Sequence, residues 1–194
     1  DQKRLATYAW SGSVEVMVGD VLDASTLDLA FQQVSVVYYL VHSMATPTGD
    51  FAELDRQGAR NVGDVARRFG VERLIYLGGL GKRYLEQSSH LRSRHEVGDV
   101  LRESGVPVTE FRAAVIVGAG SFSFEMIHHL ANRLPIMICP RWVVTRTQPI
   151  AVEDVLTYLV IAITSPESTG KVIDIGGPEI LHDREMLFRL ARSL

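Results

Sequence analysis

The chain has 194 residues, of which 46% are hydrophobic and 22% charged, a balance that excludes disorder and suits one packed domain. The formal net charge of -3 gives no general attraction to nucleic acid or anionic membrane, and no apolar run approaches the roughly 20 residues that span a bilayer. Cys139 is the only cysteine, which excludes an internal disulfide and points to a reducing, cytoplasmic setting.

The chain alternates between short β-rich runs and helical stretches. "VEVMVG" (Val14 to Gly19) predicts a strand. "ASTLDLAFQQV" carries Leu27, Ala30 and Phe31 at helical spacing, with Asp23 or Ser25 placed to cap the helix. "VSVVYYLVH" is continuously apolar, as a strand buried on both faces of a parallel sheet would be. Asp50 to Phe69 predicts a long amphipathic helix ended by Gly70. "RLIYLGG" predicts the next strand, His90 to Glu103 a helix closed by Gly105 and Pro107, and "PVTEFRAAVIVG" another strand. Beyond Gly118, "SFSFEMIHHLANRL" reads as helix, "PIMICP" as short and extended, and "AVEDVLTYLVIAI" as helix. "KVIDIGG" reads as a strand, and Asp183 to Leu194 as a final helix.

Such alternation predicts an α/β fold, a doubly wound parallel sheet with right-handed crossovers. Strands at Val14 to Val18, Val36 to Val41, Arg73 to Leu77 and Val108 to Val117 are expected to lie parallel in one sheet. Ligands of such sheets bind outside the carboxyl ends of the strands, here Gly19-Asp20, His42-Ser43, Gly78-Gly79 and Val117-Gly118.

Three motifs invite other chemistry. Gly118-x-Gly120 follows a strand and precedes a helix, but its third glycine position holds Ser123 and no acidic residue lies about 20 positions on, so it is a poor dinucleotide fingerprint. Glu125 with His128 or His129 has Glu-x-x-His spacing, yet no second copy exists to complete a carboxylate-bridged metal site, and no metal is expected. "GGLGK" lacks the spacing and the Ser or Thr of a phosphate-binding Walker loop.

His90 and Arg94 in "HLRSR" stand four residues apart, on one face of the predicted helix. Spacing alone leaves this either a solvated first turn or a shared site. With its neighbours, the pair resembles the atypical and extended short-chain dehydrogenase/reductases, in the group with His-x-x-x-Arg in place of Tyr-x-x-x-Lys that is related to nucleotide-sugar epimerases. The resemblance covers nearly the whole chain. "GDVLD" is similar to the family's segment beside the adenine, "YYLVH" to the strand passing the cofactor ribose, and "RQGARNV" to its long helix, with Asn61 at the expected asparagine. "RLIYLGGLG" is similar to the fifth strand, with Gly78 and Gly79 where active members carry Ser or Thr. "SHLRSRHEVGDVLRESGVPVTEFRAAVIVG" is similar to the active-site helix and sixth strand, and "QPIAVEDV" to the segment before a substrate-side helix.

The resemblance implies one Rossmann-like NAD(P)-binding domain over residues 1–194, incomplete at its N-terminus, with 119–194 including a small substrate-side region. The family's opening strand, Gly-rich turn and helix are expected upstream of Asp1. It implies NAD or NADP as cofactor, contacted by Asp20, Val21, Leu40, Val41, His42, Asn61, Leu77, Gly78, Arg94, Ala114 and Val115. His90 would be the proton donor and Arg94 the ribose clamp, since Arg cannot itself exchange protons. Phe122, His128 and Trp142 would face an unidentified small-molecule substrate. Structural alternatives stay open: Asp20 as a turn cap, Asn61 as a bond to a neighbouring loop, His42 as a satisfied core histidine, Phe122 and Trp142 as packing residues. The expected function is an NAD(P)-dependent oxidoreductase, the alternative an NmrA-like sensor that binds NAD(P) without turnover. Epimerisation is disfavoured by the missing Tyr. Neither nucleic acid nor membrane is an expected partner, and a homodimer is left open.

Overall fold

The structure is a computed structural model that describes residue 5, residues 7–43, 51–81, 88–118 and 146–182, and residue 185. In chain order the regular elements are β1 (Val36–Tyr39), α1 (Phe51–Arg68), β2 (Arg73–Gly79), α2 (Ser89–Glu103), β3 (Val108–Ala113), β4 (Ile116–Val117), β5 (Arg146–Thr147), β6 (Ile150–Ala151), α3 (Val152–Thr164), β7 (Val172–Ile175) and β8 (Leu181–His182). Strands β1, β2, β3 and β7 form one sheet in that spatial order, and every neighbouring pair is parallel. This is the Rossmann-like α/β architecture expected from the alternating pattern.

Helices pack on both faces of the sheet, and the apolar residues of its strands point alternately into the two cores. Successive residues of β2 point to opposite faces. Leu74 and Tyr76 pack with Ala59, Val62, Val65 and Ala66 of α1 and Val97, Val100 and Leu101 of α2. Ile75 belongs to the other core, with Phe111, Ile175 and the α3 residues Val155, Leu159 and Ala162. Local signals set the ends of these helices. The Ser88 hydroxyl oxygen accepts from the Leu91 N–H at 3.3 Å, satisfying a donor of the first turn of α2. Gly70 and Gly105, at φ 71° and 83°, supply the left-handed turns beyond α1 and α2.

Three expectations are corrected. Val14 to Val18 forms no strand and pairs with none among the described residues, and Val18 is 75% exposed. A strand needs a neighbour to take its backbone groups, and alternation alone cannot supply one. The helix expected over residues 24–34 is two short 3₁₀ turns, Ala24–Leu27 and Leu29–Phe31. There Asp23 accepts from the Ser25 N–H, and the Thr26 hydroxyl bonds the Asp23 carbonyl, so side chains compete with the helical ladder. Its apolar positions Leu27 and Phe31 are nonetheless buried. The strand expected over Val108 to Val117 divides after Ala113. Its second part, β4, pairs with β6, and the Ile150 N–H donates to the Val115 carbonyl. The predicted elements at 121–134, 135–140 and 183–194 lie largely or wholly outside the described residues.

No described helix is long and apolar enough to cross a membrane.

Candidate active site at the strand carboxyl ends

The chain leaves β1 through Leu40 and Val41, which are 57% and 45% exposed, and reaches His42 and Ser43. Asp55, one turn into α1, is 3% exposed. Its Oδ1 accepts from the Ser43 N–H at 2.7 Å, its Oδ2 from the Ser93 hydroxyl at 2.9 Å, and His42 Nδ1 lies 3.0 Å from Oδ2. One buried carboxylate thus ties the end of β1 to both helices of that face. The helical period brings the rest together. His90, Ser93 and Arg94 fall on one side of α2 at i, i+3 and i+4, and Phe51 and Asp55 on one side of α1 at i and i+4. Phe51 stacks on the His90 imidazole with ring centroids 4.6 Å apart, and the His42 ring stands edge-on to His90 at 6.3 Å.

The end of β2 is fixed to the same helix. His95 Nε2 lies 3.0 Å from the Gly79 carbonyl, and the Tyr76 hydroxyl donates to the Arg94 carbonyl at 2.9 Å. Arg94 runs over Gly79, so that a Cβ on Gly79 would lie 3.3 Å from Arg94 Cδ and only 2.6 Å from Leu91 Cδ1. A Cβ on Gly78 would lie 3.1 Å from Glu110 Oε1 and 3.2 Å from the Tyr76 ring. The absence of a Ser or Thr hydroxyl at these two positions is therefore built into the packing.

Electrostatics favour a neutral His42. Burial lowers its pKa below the ordinary 6.5; Asp55 opposes that, while the Arg94 and His90 charges add to it. With Nδ1–H directed at Asp55, Nε2 carries the free lone pair. It is buried and has no hydrogen-bond partner among the described residues.

His42, His90 and Arg94 are thus brought to one place, beside Leu40, Val41, Leu77 and Gly78. Ala114 is exposed and Val115 half-buried just beyond β3. Asp20, Val21 and Asn61 form a separate cluster farther along α1. The Asp20 carboxylate accepts from the Leu22 N–H at 2.9 Å, as a turn cap does. Asn61 Nδ2 donates to the Val21 carbonyl at 2.8 Å, and its Oδ1 accepts from Gln57 Nε2 at 2.8 Å. The Asn61 amide nitrogen thus holds the loop against α1, while its oxygen is taken by Gln57 of the same helix. Phe122, His128 and Trp142 lie outside the described residues. Sequence reasoning missed Asp55 and Ser93. Asp55 had a legible signal, an acidic residue three and four positions before Gly58 and Ala59 on the buried face of α1.

The model of the NAD(P)H-binding family matches residues 1–119. Solved structures match the whole fold. The enzyme WbmG of Bordetella bronchiseptica in complex with NAD superposes with TM-score 0.80 at 19% identity, covering 100% of this chain and 66% of that one. A nucleoside-diphosphate-sugar epimerase of Staphylococcus aureus gives 0.73 at 18%, covering 95% and 62%. DesIV of Streptomyces venezuelae, a dTDP-glucose 4,6-dehydratase with NAD bound, gives 0.77 at 17%, covering 100% and 67%. The first relatives are spanned over only 62–66% of their length, and at these identities the likeness shows the fold alone. Comparison with curated proteins gives no match.

Proposed function

This chain belongs to the NAD(P)H-binding family, and on that premise we propose that the full-length protein is an NAD(P)-dependent oxidoreductase of the atypical short-chain dehydrogenase/reductase type. The observation that carries the reading is the convergence of His42, His90 and Arg94 at the carboxyl ends of β1 and β2, where such sheets bind ligands. These groups fit the nicotinamide riboside half of a dinucleotide. Arg94 offers a fixed cation with several donors to ribose hydroxyls. Leu40 and Val41 offer an exposed apolar edge beside it. Bound there, the dinucleotide supplies a hydride donor or acceptor. His90 exchanges a proton with the substrate oxygen, and stacking on Phe51 fixes its ring plane.

The relatives crystallised with NAD support the same cofactor class for this chain, NAD or NADP. Residues 1–194 act as one domain in this proposal, with 119–194 on the substrate side, in a cytoplasmic protein acting on a small molecule. The packed glycines at 78 and 79 favour a second reading, a sensor that binds NAD(P) without turnover, because a carbonyl substrate there lacks one hydrogen-bond donor. Losing such a donor costs about 100- to 1,000-fold in rate. The test is NADH and NADPH consumption by the full-length protein with a panel of carbonyls and quinones. Consumption supports the oxidoreductase; tight dinucleotide binding with no consumption across the panel selects the sensor.

A further inference from the structure

The end of β2 beside His90 offers a ligand few polar groups. From Leu77 to Gly81 no side chain is polar. The backbone there is committed as well. His95 Nε2–H donates to the Gly79 carbonyl at 3.0 Å, and the Leu80 N–H donates to the Ala113 carbonyl at 2.8 Å. One side chain covers the bare glycines. A Cβ on Gly79 would lie 2.6 Å from Leu91 Cδ1, and a Cβ on Gly81 would run into Leu91 Cδ2. The methyl groups of Leu91 therefore fill the space that a hydroxyl-bearing residue at either position would need. Leu91 follows His90 directly and lies beside Arg94 at i and i+3, both side chains running over Gly79. It is only half-buried, so an apolar surface stays open next to the proton donor. The His90 ring is itself stacked on Phe51.

We propose that Leu91 is a specificity-determining residue and that the substrate is an apolar carbonyl compound, an alkyl or aryl ketone, aldehyde or quinone, rather than a polyhydroxylated sugar. The inference rests on the oxidoreductase reading and names its substrate class. A substrate hydroxyl laid against Leu91 and the glycines leaves water without gaining a partner. Asp55 and Ser93 bond each other, and His90 and Arg94 serve the substrate oxygen and the ribose. A hydroxyl buried without a hydrogen bond is penalised in full. An alkyl or aryl group in the same place gives up no hydrogen bond, and it removes apolar surface from water on both sides. An apolar wall of this kind discriminates against one added hydroxyl by about 100-fold.

The experiment uses the full-length protein with NADH or NADPH and two sets of carbonyls. The apolar set is cyclohexanone, benzaldehyde and menadione. The polar set is pentahydroxycyclohexanone, which matches cyclohexanone ring for ring, and a UDP-4-ketohexose. The parent should favour the apolar set in kcat/KM by about 100-fold or more. Leu91→Asn keeps the size of the side chain and supplies an amide that can bond hydroxyls, so that ratio should fall about 10- to 200-fold. Leu91→Ala removes the apolar contact and keeps a good helix former, and should lower the ratio as well. General damage to the fold would move both sets together and leave the ratio where it was. A parent that turns over the polar set as well as the apolar one, or a parental ratio in both variants, would overturn the substrate class while the oxidoreductase reading stands. Bound dinucleotide with no turnover of either set would overturn that reading and the substrate class with it.

Discussion

His42 joins a strand end to a buried carboxylate, and its titration reports on that junction. Its folded-state pKa lies below 6.5, through burial first, with Asp55 opposing and Arg94 and His90 reinforcing the shift. The unfolded chain therefore binds this proton more readily than the folded one. The associated stability is fully present above 6.5 and is lost as pH falls through the lower folded value. Thermal melts between pH 7.5 and pH 5 should show a decline in the parent that is smaller in His42→Asn; equal declines would sink the assignment. Arg94 and His90 separate by role. Arg94→Ala should weaken dinucleotide binding about 10- to 150-fold, the equivalent of a charge-assisted hydrogen bond of roughly 1.5–3 kcal/mol. His90→Ala should remove turnover and leave affinity nearly intact, because a proton donor acts mainly in the transition state. Dinucleotide titration and steady-state rates on the two variants check both outcomes.

At the scale of elements, α2 holds the site only because it lies close on the sheet. Gly98 permits that approach. A Cβ there would lie 2.5 Å from Glu110 Oε2 and 2.9 Å from Glu110 Cδ. Glu110 is 1% exposed and held by Arg102, so it cannot swing aside. In a free helix, Gly→Ala stabilises by up to about 1 kcal/mol. Here Gly98→Ala should instead destabilise by about 1–3 kcal/mol through overpacking. Because α2 carries His90 and Arg94, the same change should also weaken dinucleotide binding. Urea unfolding decides the sign, and a stabilised Gly98→Ala variant would refute the close-packing account.

At the scale of the molecule, β1 is the last strand of its sheet among the described residues, and the segment between the 3₁₀ turns at Ser11–Ser13 and Ala24–Leu27 lies exposed, with Val14 and Val16 50% and 38% accessible. A dinucleotide's pyrophosphate is ordinarily cradled by a Gly-rich turn and a helix N-terminus. The 194 residues hold no complete fingerprint of that kind. Calorimetry should accordingly find much weaker NAD+ or NADP+ binding to these residues alone than to a protein that includes the family's first βαβ unit. Low-micromolar binding to the 194-residue chain would contradict this and make Gly118 to Ser123 the phosphate loop.

Much of the architecture was legible because its causes are local. The apolar run from Val34 to Val41 implied a strand, and β1 forms there, although at the end of the described sheet only Tyr39 of its four residues is buried. The apolar spacing and Gly70 bounded α1 to within a residue or two. The i, i+4 relation of His90 and Arg94 needed only the helical period. What depended on a partner could not be read the same way. Alternation in Val14 to Gly19 describes side chains and says nothing about where its backbone groups bond. The run from Val108 to Val117 divides because Ile150, more than thirty residues on, bonds the Val115 carbonyl. Asp55, Ser93 and His42 are separated by up to 51 positions in sequence. They meet because β1, α1 and α2 pack on one side of one sheet, and that juxtaposition alone turns a carboxylate on an apolar helix face into a partner for an imidazole.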